Sequence, residues 1–363
     1  MRKLLGTLHR LSLLSIVLCA ACGGSKPAEP AAADKTTEPP EKPAATAVRL
    51  QGAGASFPAP LYNKWFKDYG ANHPNVQVDY QSVGSGSGVK AVIDKTVDFG
   101  ASDAAMTDEE IGRVADGVQL LPMTAGSIVL SYNLEGVKDL KLSRKAYSEI
   151  FLGKIKNWND PAIAASNPGV KLPATPINVV VRADSSGTTF VFTKHLSEIS
   201  PDFAKSPGTN KMPAWPVGTR SKGNEGVTAS LKTTPGSIGY VEYGYAKSQN
   251  LPMASLENKA TKYVAPSTES GQAALAAVEM PTNLIAWTPD PAGETAYPIV
   301  TFTWLILYSK YTDENKLNAL RDLVKYSVTE GQKSSEALGY IPLPQPVADK
   351  VLAAIDNVKV ASK

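Results

Sequence analysis

The stretch RADSSGTTF at residues 182–190 sets a guanidinium, a carboxylate and a cluster of hydroxyls just ahead of a segment with helical character. Three other segments share its make-up of Gly, Ala and Ser: GAGASFPAP at 52–60, SVGSGSGVK at 82–90 and DFGASDA at 98–104. Small residues let a backbone approach a ligand closely, and glycine supplies positive φ where a turn needs it. A helix that starts at such a turn presents unpaired N–H groups and the positive end of its dipole, which together bind oxyanions. The hydroxyls of Ser56, Ser85, Ser186 and Thr188 would add donors to that cradle. Taken singly, each segment is also what an ordinary helix cap looks like. Four in one chain favour the cradle.

A nucleophile is the competing chemistry. Ser87 and Lys90 stand three apart, the spacing of the penicillin-binding and class A β-lactamase nucleophile. Those enzymes also carry Ser-Asp-Asn and Lys-Thr-Gly elements. Here the first is reduced to SDA at 102–104, and the second does not occur. Lys90 then reads as a helix residue facing solvent. The acids are weighed in the same way. If a strand continues through VVVRAD, Arg182 and Asp184 lie on one side of it, and they form either a surface ion pair worth ~0–1 kcal/mol or a pair in which Asp184 orients the guanidinium. The helix start that follows favours the second. Asp103 suits either a turn cap or an acceptor in a binding site.

These segments need elements to hold them. From Val48 onward short apolar strands alternate with helical stretches, which is α/β patterning. VQVDYQSV (76–83), INVVV (177–181) and TFTWLILYS (301–309) read as strands. Leu61, Trp65 and Tyr69 recur at helical spacing, as do Leu317, Leu320 and Val324. Thr107 and Glu110 make a capping box before another helix. The span 48–363 is long enough for two domains. In open α/β sheets ligands bind beyond the carboxyl ends of strands, which is where the four segments fall.

The chain begins with a basic leader, Arg2, Lys3 and Arg10 around an apolar run too short for the ~20 residues of a membrane-spanning helix. Residues 1–21 read as a signal peptide, and Cys22, between small residues and GGS, resembles the lipidated cysteine of a lipobox. Residues 22–47 are rich in Pro, Ala and mixed charge and read as a disordered tether. This describes an exported protein anchored to a membrane by lipid. Of 37 basic residues three belong to the leader, so the remainder balances the 34 acids. Such neutrality argues against nucleic acid as a partner. His73 and His195 lack metal-ligand spacing and are expected as surface or capping residues, not a zinc site.

GAGASFPAPLYNKW, VDFGASDAAMTDEE, IFLGKIKNWNDPAI, VVVRADSSGTTFVFT and GSIGYVEYGYAK, in that order, resemble the periplasmic phosphate-binding proteins of Pst-type ABC importers. The resemblance implies a type II periplasmic binding protein fold, with two α/β domains joined by a two-segment hinge and the ligand in the cleft. It places one domain at 48–125 and 298–363 and the other at 126–297. It implies inorganic phosphate as ligand, no cofactor, no catalysis, a monomer, and the membrane permease of an importer as partner. By position the ligand residues are Ser56, Phe57 through its N–H, Ser85, Asp103, Arg182, Asp184, Ser186, Gly187 and Thr188. Two departures stand out: Ser56 where some relatives have Thr, and Ser185 where Gly is frequent. With phosphate as ligand, Asp103 gains a reason: a carboxylate accepts a hydrogen bond from a protonated anion and opposes sulfate, which carries no proton. A sulfate-like oxyanion and an acyl-enzyme on Ser87 and Lys90 are the alternatives.

Overall fold

The computed structural model describes residues 47–361, so the leader, Cys22 and nearly all of the tether lie outside the described residues. The body opens with two strand–helix–strand units: β1 (Val48–Gly54), α1 (Ala59–Asn72), β2 (Val76–Ser82), α2 (Ser85–Ile93) and β3 (Phe99–Ser102). A short helix, α3 (Asp108–Gly112), leads into the long β4 (Val118–Asn133). Later come β5 (Asn178–Arg182), α4 (Gly187–Ile199), β6 (Thr219–Ser221), α5 (Gly223–Thr233), β7 (Ser237–Glu242) and α6 (Tyr243–Ser248). β8 (Val300–Tyr308) and α7 (Glu314–Val328) follow near the end.

Eight strands form one sheet in the order β2-β1-β3-β8-β4-β7-β5-β6. β1 lies parallel to β2 and β3, and β5 parallel to β6 and β7, while β4 and β8 run antiparallel to each other. β4 is the common member of two halves. Residues 118–127 pair with β8 and residues 128–133 with β7, so its partner changes between Ser127 and Ile128. The register of β8 against β4 shifts at Thr303/Trp304. Such an irregularity turns a side chain away from its pleated direction, and here it brings Thr303 to Asp103.

The apolar periodicities are explained by burial. Leu61, Trp65 and Tyr69 of α1 and Leu317, Leu320 and Val324 of α7 are essentially inaccessible. Trp65 satisfies its indole N–H on the Gly331 carbonyl at 2.7 Å, as a buried indole must. The capping box on α3 is present, with Thr107 and Glu110 each bonded to the other's backbone N–H. The strand expected at 177–181 runs one residue later, which puts Arg182 at its carboxyl end.

The two histidines part company. His73 follows α1 as its cap, with Nδ1 2.9 Å from the Tyr69 carbonyl. His195 is neither surface nor cap. It is fully buried in α4, with Nε2 2.8 Å from the Tyr147 hydroxyl and Nδ1 2.6 Å from the Pro289 carbonyl. Burial pushes its pKa down to about 4, so it is a neutral bridge between α4 and the loop through Pro289. Among the described residues no helix is long and apolar enough to cross a membrane, and no cluster of metal-ligating side chains occurs.

Candidate oxyanion-binding site

Four strand-to-helix turns converge. β1 delivers Ser56 and Phe57 just before α1, β2 delivers Ser85 as the first residue of α2, and β3 ends one residue before Asp103. β5 ends on Arg182, and Ser186 caps α4 by accepting from Thr189 N–H at 3.0 Å. All nine residues named from the sequence are buried except Asp184, which is half-buried. Contacts join them. Thr188 donates to Asp103 Oδ2 at 3.2 Å, and Ser85 Oγ accepts from Asp103 N–H at 3.3 Å. A Cβ at Gly187 would lie 2.5 Å from Ser85 Oγ and 2.7 Å from Asp103 Cβ, so only glycine lets α4 approach this closely.

Arg182 and Asp184 form a two-point pair, Nε to Oδ1 at 2.8 Å and Nη2 to Oδ2 at 2.5 Å. Gly223 N–H adds a third bond to Asp184 at 3.0 Å. Burial works to raise the Asp184 pKa, but the bonds and charge of Arg182 outweigh it and hold the carboxyl below its ordinary value. One guanidinium nitrogen is left over. Nη1 is buried and has no hydrogen-bond partner among the described residues. A buried charged donor in that state calls for an acceptor.

The hydroxyls point to the same conclusion. Ser56 Oγ accepts twice from Asn224, from N–H at 3.0 Å and from Nδ2 at 2.9 Å. Ser85 and Ser186 each accept one backbone N–H, as described above. A hydroxyl whose lone pairs are engaged still has a proton to give. The N–H of Phe57 meets no backbone acceptor among the described residues. Its ring packs inward, close to Gly126, and the Tyr340 hydroxyl holds its carbonyl at 2.7 Å. The cluster gathers several donors with a buried guanidinium nitrogen that has no partner among the described residues.

Asp103 is the exception among donors. Oδ1 accepts from Thr303 at 2.9 Å and Oδ2 from Thr188. Desolvation dominates its titration and pushes the pKa up to about 7, against the bonds from Thr303 and Thr188 and the charge of Arg182. A carboxylate so placed can accept a proton-bearing partner.

Reasoning from the residues missed Asn224, Thr303 and Tyr240. Asn224 sits in SKGNEGV, a Gly-containing lead into a helix of the same kind as the four segments, and the same scan could have found it. It ties Ser56 to Thr188, which its Nδ2 meets at 3.3 Å. Tyr240 receives the Arg182 N–H at 3.1 Å and sits 2.7 Å from Thr189 Oγ1; nothing in its strand context marks it. Ser87 and Lys90 lie apart from the cluster's bonds. Both are exposed on α2, and Lys90 pairs with Asp94 one turn on.

The chain matches the model of the PBP superfamily domain over residues 31–330. It is 42% identical over 313 residues to the phosphate-binding protein PstS of Pasteurella multocida (strain Pm70), covering 85% of this chain and 90% of that one. To the phosphate-binding protein PstS of Methanocaldococcus jannaschii it is 37% identical over 381 residues, covering 98% and 95%. Among solved structures, the high affinity periplasmic phosphate-binding protein PfluDING bound with phosphate superposes with a TM-score of 0.71 at 23% identity, over 84% of this chain and 93% of that one. At that identity the likeness bears on the fold, which is the two-domain α/β fold of periplasmic binding proteins. The chain belongs to the PBP superfamily and, within it, to the PstS phosphate-binding proteins.

Proposed function

We propose that this protein binds inorganic phosphate outside the cytoplasmic membrane and delivers it to the permease of an ABC importer. The observation that carries the reading is the buried Arg182 Nη1 without a partner among the described residues, in a chain whose other strand-end turns bring buried Ser56, Ser85, Ser186 and Asp103 into the same hydrogen-bonded cluster. Ser56, Phe57, Ser85, Arg182, Ser186, Gly187 and Thr188 supply the donors. Asp184 orients Arg182, and Asp103 takes the proton of the ligand. The ligand is bound and released unchanged, so the site needs no nucleophile.

Two lobes, 48–125 with 298–363 and 126–297, close on the anion by a hinge motion. The change of partner in β4 between Ser127 and Ile128, and the start of β8 at Val300, support hinge points beside those boundaries. Cys22 carries the lipid, the tether keeps the monomeric receptor near its permease, and local concentration rises accordingly. The test uses residues 48–363, freed of carried-over anion by unfolding and refolding, titrated calorimetrically with phosphate and then sulfate above about pH 8, where Asp103, pushed up to about 7 by burial, is ionised. Tight phosphate binding without sulfate heat supports the reading. Binding of both discards the role of Asp103, and binding of neither discards the function.

A further inference from the structure

Outside the anion cluster, one charged pair spans the two lobes. Lys211 Nζ donates to Glu110 Oε1 at 2.9 Å and Oε2 at 3.2 Å, with side chains only 17% and 26% exposed. Among the described residues it is the one ion pair that joins 126–297 to the rest of the body. Both partners are held in place before they meet. Glu110 closes the capping box of α3, where Oε2 also accepts from Thr107 N–H at 2.9 Å. On the other side, the Lys211 carbonyl accepts from Ser186 N–H at 2.9 Å. Its neighbour Asn210 is tied to Thr193 of α4, N–H to Oγ1 at 3.1 Å and carbonyl from Oγ1 at 3.2 Å. The loop that carries Lys211 is therefore fastened to the helix whose first turn lines the anion cluster.

We propose that Glu110 and Lys211 form a latch across the mouth of the cleft, made only when the lobes close on phosphate, which slows release without recognising the anion. The inference rests on the phosphate-binding reading. Other contacts also cross the cleft, such as Gly86 N–H to the Ser185 carbonyl at 2.9 Å and Ser82 to Glu225 at 2.8 Å. These are hydrogen bonds from neutral donors, and Lys247 Nζ meets only a carbonyl, that of Glu336 at 3.3 Å; among the described residues the latch is the one crossing contact between two full opposite charges, which salt screens. Pre-positioning by the capping box and by α4 lowers the side-chain entropy lost on pairing, the usual reason surface pairs contribute little. A contact absent from the open form acts on the dissociation rate, as most interface changes do.

Glu110→Gln separates charge from structure, because Gln also serves at the third position of a capping box. The full chain, loaded with radiolabelled phosphate, is chased with unlabelled phosphate in a rapid-mixing experiment at low and high salt. Glu110→Gln and Lys211→Gln each raise the dissociation rate about two- to five-fold, and the double variant is no faster than either single one. The wild type's faster release at high salt flattens in all three variants. Ligand-free melting temperature stays at the wild-type value, and the phosphate-bound one drops. An unchanged dissociation rate in Glu110→Gln overturns the latch, and so do single effects that multiply in the double variant. A wild-type chain that holds no labelled phosphate sinks the functional reading instead, so the two failures are distinct.

Discussion

Asp103→Asn exchanges an acceptor for a donor at nearly constant volume. In the wild type both carboxylate oxygens are already bonded, to Thr303 at 2.9 Å and Thr188 at 3.2 Å, and each retains a lone pair. A proton on bound phosphate can meet one of them. A charge-assisted hydrogen bond of that kind contributes ~1.5–3 kcal/mol. Sulfate brings no proton, so the same carboxylate stays buried and unmatched, which costs about 1–3 kcal/mol. Together the terms amount to ~2.5–6 kcal/mol, or roughly 60-fold to 10⁴-fold in favour of phosphate.

The asparagine amide can donate to either anion, so both terms collapse. Competition titrations belong above about pH 8, since burial pushes the Asp103 carboxyl up to about 7 and only the ionised form discriminates. Sulfate should tighten, phosphate should weaken, and the ratio of their dissociation constants should fall by roughly 10² or more. A ratio within about threefold of wild type, in a variant of unchanged melting temperature, refutes the proton-acceptor argument. The receptor itself would survive that result.

Arg182→Lys keeps a charge but cannot bridge both Asp184 oxygens and still offer the third, buried nitrogen that Arg182 holds unpartnered among the described residues. Calorimetry should show phosphate and sulfate weakened alike, by roughly 10²-fold; a loss confined to one anion would contradict a general oxyanion role. Gly187→Ala sets a methyl 2.5 Å from Ser85 Oγ, so affinity should fall more than about tenfold while the ligand-free melting temperature barely moves. Wild-type affinity would show that the lobes need not approach as drawn. Ligand-free stability carries a pH signature. Burial raises Asp103 to about 7, so its stabilisation is complete below about pH 4 and is lost as pH rises through 7; burial also raises Glu242 well above its ordinary value, which acts in the same direction. His195, lowered to about 4 by burial, works oppositely and loses stabilisation as pH falls from 6.5 toward 4. Asp103→Asn should remove on the order of 4 kcal/mol of the decline between pH 4 and 7, read from urea midpoints; an identical pH slope in both proteins counts against it.

The cluster was legible wherever chemistry lay close along the chain. Arg182 and Asp184 are two residues apart, and although β5 ends on Arg182 and Asp184 lies in the bend beyond it, that short separation still delivers the two-point pair at 2.8 and 2.5 Å. The helix faces of Leu61, Trp65 and Tyr69 were legible for the same local reason. Thr303 was not. It stands 200 residues from Asp103 and is turned toward it by a register shift between two antiparallel strands, which no local pattern encodes. His195 failed differently. A lone polar residue on a helix reads as exposed unless the partners that satisfy it are known, and Tyr147 and Pro289 are distant in sequence.

Two carboxylates in an anion site look contradictory only if affinity is taken to follow net charge. Asp184 pairs with Nε and Nη2 of Arg182 and largely cancels its charge, while Nη1 is left buried without a partner among the described residues. Attraction then depends on donors fixed in direction by caps and strand ends, not on a long-range field. Under that arrangement a second carboxylate, Asp103, opposes a fully ionised anion strongly because little surplus positive charge remains to mask the repulsion. On the proposed phosphate-binding reading, neutralising Arg182 with Asp184 is what lets Asp103 discriminate by a single proton. On that reading the two acids belong to one device: the first gives the guanidinium its direction, and the second makes the site sensitive to where the ligand's proton lies.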